Sequence, residues 1–270
     1  MGARRGLVAI AAGTAVAVAG AAQPRALAVY AAGSLRPPLV EIGRMFEARH
    51  PGVAVVYTFG ASGLLKDRLL QGDAADVFAS ANLEHPEALA RAGRAGPVER
   101  FARNGLCALV RPGIDVTTET LVDRMLDPAV RLGTSTPRAD PSGDYAFELF
   151  ARVEAAGRPG AREQLARKAL QLTGGPQAPP PVDGQGRSVY TTLVASGQAD
   201  VFLTYCTNAA LAVREEPTLR RVDVPAGIQV AATYGVAPIA GASPDARAFV
   251  EFLLSPDAQR VLAAHGFLPP

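Results

Sequence analysis

The chain has 270 residues, of which 49% are hydrophobic and 19% are charged, so it is long enough to bury a core in one large domain or two small ones. Its formal net charge of +2 and its 6% of aromatic residues, with no Trp, argue against a nucleic-acid binder. Two Cys and three widely separated His argue against a disulfide-dense scaffold and against a metal site built from these residues.

The start of the chain has the order of a secretory signal peptide. Arg4-Arg5 precedes an uncharged run, residues 6–19, and the small residues Ala19-Gly20-Ala21 fit a cleavage site. The run is too short to span a bilayer, and a buried Ala-rich helix is the less favoured alternative. We therefore expect a signal peptide, residues 1–21, cleaved near Ala21 and Ala22. Loss of its two Arg leaves an exported chain with no net charge.

Export bears on the only two cysteines, Cys107 and Cys206. An exported chain enters an oxidising compartment, so the pair is a candidate for a disulfide. Two buried free thiols are the alternative, because sequence does not give the separation of the two residues. Both alternatives stay open at this point.

The first part of the mature chain alternates strands and helices. Short apolar runs end in Gly or Ser, which is typical of buried strands, and helical spacing of apolar residues follows two of them. This βαβαβ alternation predicts a mostly parallel sheet covered by helices, and hence an α/β fold class. The predicted strands are residues 27–32, 53–59 and 76–79, and the predicted helices are residues 37–49 and 64–71.

The same alternation returns later in the chain. Strands are predicted at residues 106–110, 130–134, 200–205 and 228–238, and helices at 142–155, 161–171 and 244–264. The segment from Gly174 to Gly184 is too rich in Pro and Gly for a helix or a central strand. It is predicted to be a surface loop within one lobe, in preference to an interdomain linker.

Three of the predicted strand-to-helix turns carry a Ser. These are Ser34, Ser62 and Ser142, each beside a Gly. A hydroxyl at a helix N-terminus stands beside unpaired N–H groups, and such a place attracts anions without formal positive charge. The alternative for each Ser is a simple N-cap. Three such turns at one sheet edge would form a cage of donors for an oxyanion.

The sequence lacks the motifs of common enzyme classes. It has no GxxxxGK[ST] and no GxSxG, and no GxGxxG surrounds Gly33. A nucleophilic Ser needs a base, but His50 and His85 each stand beside a Pro and His265 lies near the C-terminus. We therefore expect a binding protein that is not an enzyme and uses no cofactor.

Seven stretches, spread in order over nearly the whole mature chain, carry a family resemblance: Tyr30–Leu35, Phe59–Gln71, Gly72–Ala81, Asn104–Leu106, Asp200–Tyr205, Phe252–Gln259 and Gly266–Phe267. Through them the sequence resembles a known family, the periplasmic molybdate-binding proteins of ABC transporters, together with related tungstate binders. The resemblance implies a periplasmic, two-lobed type II periplasmic binding protein, with two mostly parallel sheets and flanking helices joined by a two-strand hinge. It implies that residues 22–104 and 210–270 form lobe I and that residues 105–209, with the Pro-rich loop, form lobe II.

The resemblance also implies a set of ligand-binding residues. Ser34 and Ser62 would donate from lobe I, Ser142 from the lobe II turn, and Tyr205 through its phenol from a strand returning to the hinge. A further backbone donor falls near Arg187. Its guanidinium could bind the anion or point to solvent. No metal ion is expected beyond the molybdenum of the oxyanion itself.

The function implied is that of the substrate-binding component of an ABC importer. It would bind molybdate or tungstate between the lobes and deliver it to an inner-membrane permease, as a monomer that binds no nucleic acid. The alternatives are a receptor for a different small oxyanion or organic anion, a sensor without a transport partner and, less favoured, a secreted hydrolase on the same scaffold.

Overall fold

The computed structural model describes residue 2 and residues 24–178 and 186–270. The predicted signal peptide, apart from residue 2, lies outside these ranges, as do residues 179–184 of the predicted Pro-rich loop. Within the described ranges, no helix has the length and apolar character that crossing a membrane would require.

The elements follow the predicted alternation of strands and helices. Most predicted elements are present with ends shifted by one to three residues, which is the usual uncertainty of such boundaries. The strands are β1 (Arg25–Ala32), β2 (Val53–Gly60), β3 (Val77–Ser80), β4 (Glu99–Val110), β5 (Leu132–Ser135), β6 (Leu170–Thr173), β7 (Val201–Tyr205), β8 (Arg220–Asp223) and β9 (Ala231–Pro238). The helices are α1 (Arg36–Arg49), α2 (Ser62–Leu70), α3 (Glu84–Arg91), α4 (Leu121–Leu126), α5 (Pro141–Ala155), α6 (Ala161–Lys168), α7 (Val189–Ala195), α8 (Cys206–Glu215), α9 (Pro244–Leu254) and α10 (Pro256–Ala264).

Strand β4 connects two halves of one sheet path, whose order is β2-β1-β3-β9-β4-β7-β5-β6. Residues 99–105 of β4 pair with β9, whereas residues 106–110 pair with β7, and residues 107–110 also pair with β8. We call β1, β2, β3, β9 and residues 99–105 the first sheet half. The second sheet half is β5, β6, β7, β8 and residues 106–110.

The α/β class with flanking helices is confirmed, but the pairing is more mixed than predicted. Strands β1, β2 and β3 are parallel to one another, and so are β5, β6 and β7. The other four pairings among the named strands are antiparallel, because β4 and β9 run against their neighbours. The βαβ units could be read from the alternation, whereas the antiparallel strands come from long-range connections.

The chain returns from the second sheet half to the first sheet half later than residue 210. Helix α8 packs on β4 and β8, and its Ala209 and Ala212 belong to a buried cluster with Cys107, Leu109 and Phe202. Strand β8 pairs with the C-terminal part of β4. The segment 210–223, predicted as part of lobe I, therefore packs with the second sheet half.

Two predicted helices are wrong in part. Helix α6 ends at Lys168, and Leu170–Thr173 instead pairs in parallel with β5 as an edge strand. The predicted helix 244–264 is two helices, because Pro256 cannot continue the first one and begins the second. The Ser255 hydroxyl caps α10 by accepting the Ala258 N–H at 3.4 Å.

A disulfide joins Cys107 on β4 to Cys206 at the start of α8, with Cα atoms 4.7 Å apart. The disulfide alternative is therefore confirmed. The bond closes a loop across 99 positions and ties the end of β7 to β4. Because Cys206 directly follows Tyr205, the bond also holds the position of that tyrosine.

We predict that replacing both cysteines with Ala lowers the free energy of unfolding by about 2–5 kcal/mol, because the crosslink restricts the unfolded chain. Urea unfolding of the parent, with and without reductant, and of the double variant measures the effect. Equal unfolding midpoints for oxidised parent and double variant would contradict the prediction.

Candidate functional site

A cavity of about 580 Å³ lies between the two sheet halves. On the first half its wall is formed by the turns after β1 and β2, at Ala32–Ser34 and Gly60–Ser62. On the second half the wall includes Asp140, Gly174 and Tyr205. The carboxyl ends of parallel strands meet at one edge of a sheet, and α/β proteins bind ligands at that edge.

The register of β1 and β2 places two of the predicted serines side by side. Ala32 pairs with Gly60, and each strand reaches its Ser two residues later. Both Ser34 and Ser62 line the cavity. The structure therefore brings these two hydroxyls together at one edge of the first sheet half.

Each of these serines keeps a fixed position through a second contact. The Ser34 hydroxyl lies 2.9 Å from the Tyr234 hydroxyl, which Asn104 also approaches at 3.4 Å. Ser62 is 1% exposed, and its Oγ accepts the Ala81 N–H at 3.1 Å. Since that bond uses a lone pair, the Ser62 hydroxyl proton stays available for an acceptor in the cavity.

Tyr205 ends β7 and lines the same cavity from the other sheet half. Its side chain is 2% exposed, and its hydroxyl is 3.5 Å from the Ala81 carbonyl oxygen, which it approaches as donor. Burial raises the pKa of Tyr205 well above its ordinary value. The phenol therefore stays protonated at neutral pH and remains a donor.

Ser142 and Arg187 are placed differently. Ser142 is fully buried and is not among the residues that line the cavity. Its hydroxyl donates to Ser135 Oγ at 2.6 Å and its N–H donates to Asp140 at 3.0 Å, so both groups already have acceptors. Arg187 is not among the lining residues, although Ser188 is. Hydrogen bonds from Thr218 lower the pKa of Glu216, and the positive charge of Arg187 lowers it by a smaller amount. Arg187 therefore lies near the Glu216 carboxylate. The ligand roles of Ser142 and Arg187 stay predictions.

Asp140 brings a carboxyl group to the wall that the sequence reasoning missed as a site residue. It is the N-cap of α5, and its Oδ1 accepts the Ser142 N–H. Burial raises its pKa, with a smaller contribution in the same direction from Asp144; hydrogen bonds from Ser142 and Ser135 oppose the shift. A carboxyl with a raised pKa faces the space where an anion would bind.

Arg36 and Glu215 are two further charged residues on the wall that sequence reasoning missed. Arg36 stands two positions after Ser34 at the start of α1, so its place in the same turn was a usable signal. Glu215 ends α8 and offered no such signal.

The two sheet halves touch directly beside the cavity. The Gly63 N–H donates to the Ala139 carbonyl oxygen at 2.9 Å. A Cβ on Gly63 would lie 2.2 Å from the Arg138 oxygen and 2.6 Å from the Ala139 oxygen, distances at which the backbones must separate. The absence of a side chain at residue 63 is therefore what permits this closed contact.

The chain matches the family described as bacterial extracellular solute-binding protein over residues 27–268. It is 32% identical to an uncharacterized protein of Pasteurella multocida, over 89% of this chain and 98% of that one. It is 30% identical to the molybdate-binding protein ModA of Mycobacterium bovis, over 91% of this chain and 85% of that one.

Among solved structures, it resembles the periplasmic molybdate-binding protein of Azotobacter vinelandii. The TM-score is 0.71 at 20% identity, and the match covers 90% of this chain and 99% of that one. At this identity the likeness establishes the fold. The chain belongs to the bacterial extracellular solute-binding protein family and has the fold of the type II periplasmic binding proteins.

Proposed function

We propose that the protein is the substrate-binding component of an ABC importer and binds molybdate between two lobes. The observation that carries the proposal is the convergence of Ser34, Ser62 and Tyr205 from both sheet halves on one cavity. The relative that is 30% identical and named as a molybdate-binding protein supports molybdate over the alternative anions. The ligand would then pass to an inner-membrane permease from a periplasmic, monomeric receptor.

The two sheet halves, with the helices on them, are the two lobes in this proposal. Residues 224–230 and the centre of β4 connect them. The ligand stabilises the closed form because only that form presents donors from both lobes. The Gly63 contact with Ala139 is a closed-form contact that adds to this preference.

The chemistry of the wall supports binding over hydrolysis. Hydroxyl and N–H dipoles hold a doubly charged oxyanion through charge-assisted hydrogen bonds, which are stronger than neutral ones. In the part of the chain that the structure describes, none of the three histidines lines the cavity, so Ser34 and Ser62 have no imidazole base beside them. Selection among dianions of equal charge then depends on the size of the closed cage.

We predict that Ser34→Ala, Ser62→Ala and Tyr205→Phe each weaken molybdate binding about 10- to 100-fold, because each removes one hydrogen bond to a charged group. Isothermal titration calorimetry with sodium molybdate measures the affinities. Ser196→Ala, which removes an exposed hydroxyl just after α7, is the matched control and should bind like the parent. Parent-like affinity in all three site variants would contradict the proposed cage.

We predict that Gly63→Ala weakens molybdate binding by about 10-fold or more while leaving the unliganded fold intact, because the new Cβ strains only the closed form. Calorimetry and thermal unfolding without ligand separate the two effects. Ser196→Ala, at an exposed position away from the cavity and from the segments that connect the sheet halves, is again the control. An unchanged affinity in Gly63→Ala would show that closure does not need this contact.

We predict that molybdate affinity rises as the pH falls from neutral toward the titration range of Asp140, because burial raises the pKa of that carboxyl. Protonation removes a negative charge from the wall, and its repulsion of the dianion disappears. Burial raises the pKa of Tyr190 to about 12 and that of Tyr205 well above its ordinary value, so neither phenol titrates below neutral pH.

Asp140→Asn is the decisive variant for this pH effect. It keeps an oxygen to accept the Ser142 N–H but has no charge to lose. It should bind molybdate more tightly than the parent near neutral pH, with a flatter pH profile. A profile as steep as that of the parent would assign the effect to another group.

A further inference from the structure

Arg36 places a guanidinium in the cavity wall beside the serine cage. It is the first residue of α1, its side chain is half-buried, and it lines the cavity. Its Cζ lies 4.4 Å from the centre of the Phe59 ring, which restricts the guanidinium by a cation–π contact. The Nε is fully buried and, within the described ranges, has no hydrogen-bond partner.

This guanidinium also lacks an ion-pair partner among the residues that the structure describes. Other arginines of the first sheet half reach carboxylates, as Arg25 reaches Asp245 at 2.9 Å and Arg68 reaches Asp73 at 2.7 Å. Burial lowers the pKa of Arg36, so the surroundings disfavour its charge. A partly buried, unpaired cation is unfavourable unless something offsets it, and an anion in the cavity would do so.

The two carboxyl groups on the same wall are already in use. Asp140 accepts the Ser142 N–H, and Glu215 accepts the Ser188 N–H at 2.9 Å and the Thr191 hydroxyl. All of these donors belong to the second sheet half or its helices. Among the charged wall residues that the structure describes, Arg36 is therefore the one whose charged group has neither a hydrogen-bond nor an ion-pair partner.

We propose that Arg36 is a further ligand-binding residue, whose guanidinium forms charge-assisted hydrogen bonds to the oxyanion held by Ser34 and Ser62. This inference rests on the proposed function and deepens it. Arg36 lies on the first sheet half, and its positive charge contacts the oxyanion in addition to the neutral hydroxyl and N–H dipoles. A planar guanidinium offers parallel N–H donors, a geometry that suits two oxygens of a tetrahedral anion.

The charge has a consequence that a neutral cage lacks. Attraction between Arg36 and a dianion weakens as salt screens it, so part of the affinity depends on ionic strength. Removing the charge should therefore reduce both the affinity and its salt dependence. If Arg36 served only to pack on Phe59, its replacement would leave the salt dependence of molybdate binding unchanged. Keeping the charge, as in a Lys variant, would then make no difference to binding.

The test is calorimetric titration of sodium molybdate into the parent, Arg36→Gln, Arg36→Lys and Arg44→Gln at about 10 mM and about 200 mM NaCl. Arg44 is exposed on the same helix, so its variant makes the same change in net charge away from the cavity. We expect Arg36→Gln to bind about 10- to 100-fold more weakly at low salt, as expected for loss of a charged hydrogen bond. We expect Arg36→Lys to keep the salt dependence with intermediate affinity, and Arg44→Gln to match the parent.

Parent-like affinity and salt dependence in Arg36→Gln would overturn the inference while leaving the proposed function intact. Equal losses in Arg36→Gln and Arg44→Gln would also overturn it, because the effect would then come from net charge. A parent that binds no molybdate would instead contradict the proposed function. Thermal unfolding of each unliganded variant identifies loss of fold. If Arg36→Gln is unfolded, the titration of Arg36→Lys decides. Parent-like affinity of Arg36→Lys without salt dependence then overturns the inference.

Discussion

The parallel register of β1 and β2 is the constraint on which the site depends. Because Ala32 pairs with Gly60, β1 and β2 end at the same level of the sheet, and each is followed by a helical segment that carries a Ser. A shift of one residue would reverse the side-chain directions in one strand and separate the two hydroxyls. The burial of Leu27 and Val29 in the core opposes such a shift.

The second sheet half completes the site through β4 and the disulfide. Strand β4 belongs to both halves, so the two halves share one hydrogen-bonded backbone. Antiparallel pairing of β4 with β7 sets Leu106 opposite Tyr205, and the Cys107–Cys206 bond fixes that end of β7. The phenol of Tyr205 thus faces the serines without any direct bond to them.

The sequence predicted the parts of the site that depend on local structure. Ser34 and Ser62 were found because each follows a short apolar strand and precedes a helix, and such turns are readable from a few neighbouring residues. Tyr205 was reached through the family resemblance. Ser142 satisfied the same local pattern, yet its hydroxyl donates to Ser135, a contact set by how β5 packs on α5.

The features that sequence analysis missed or left open depend on contacts between distant residues. The disulfide requires the β4–β7 register, which brings together residues 99 positions apart. Strand β6 exists because β5 offers an edge, although its residues continue a helical pattern. Arg36 had a local signal in the turn that carries Ser34, whereas Asp140 becomes a site residue only when both sheet halves enclose the cavity. Arg36 and Asp140 carry opposite charges, and folding of the chain brings both charges to the wall of one cavity.

The central claim is that donors from both halves of the molecule surround one small dianion. The most direct measurement is a crystal structure of the protein grown with molybdate, in which anomalous scattering locates the molybdenum atom. The account predicts one strong anomalous peak within hydrogen-bonding reach, through the oxyanion's oxygens, of Ser34, Ser62 and Tyr205. A molybdenum peak outside this cavity, with those three side chains making no contact to the ion, would contradict it.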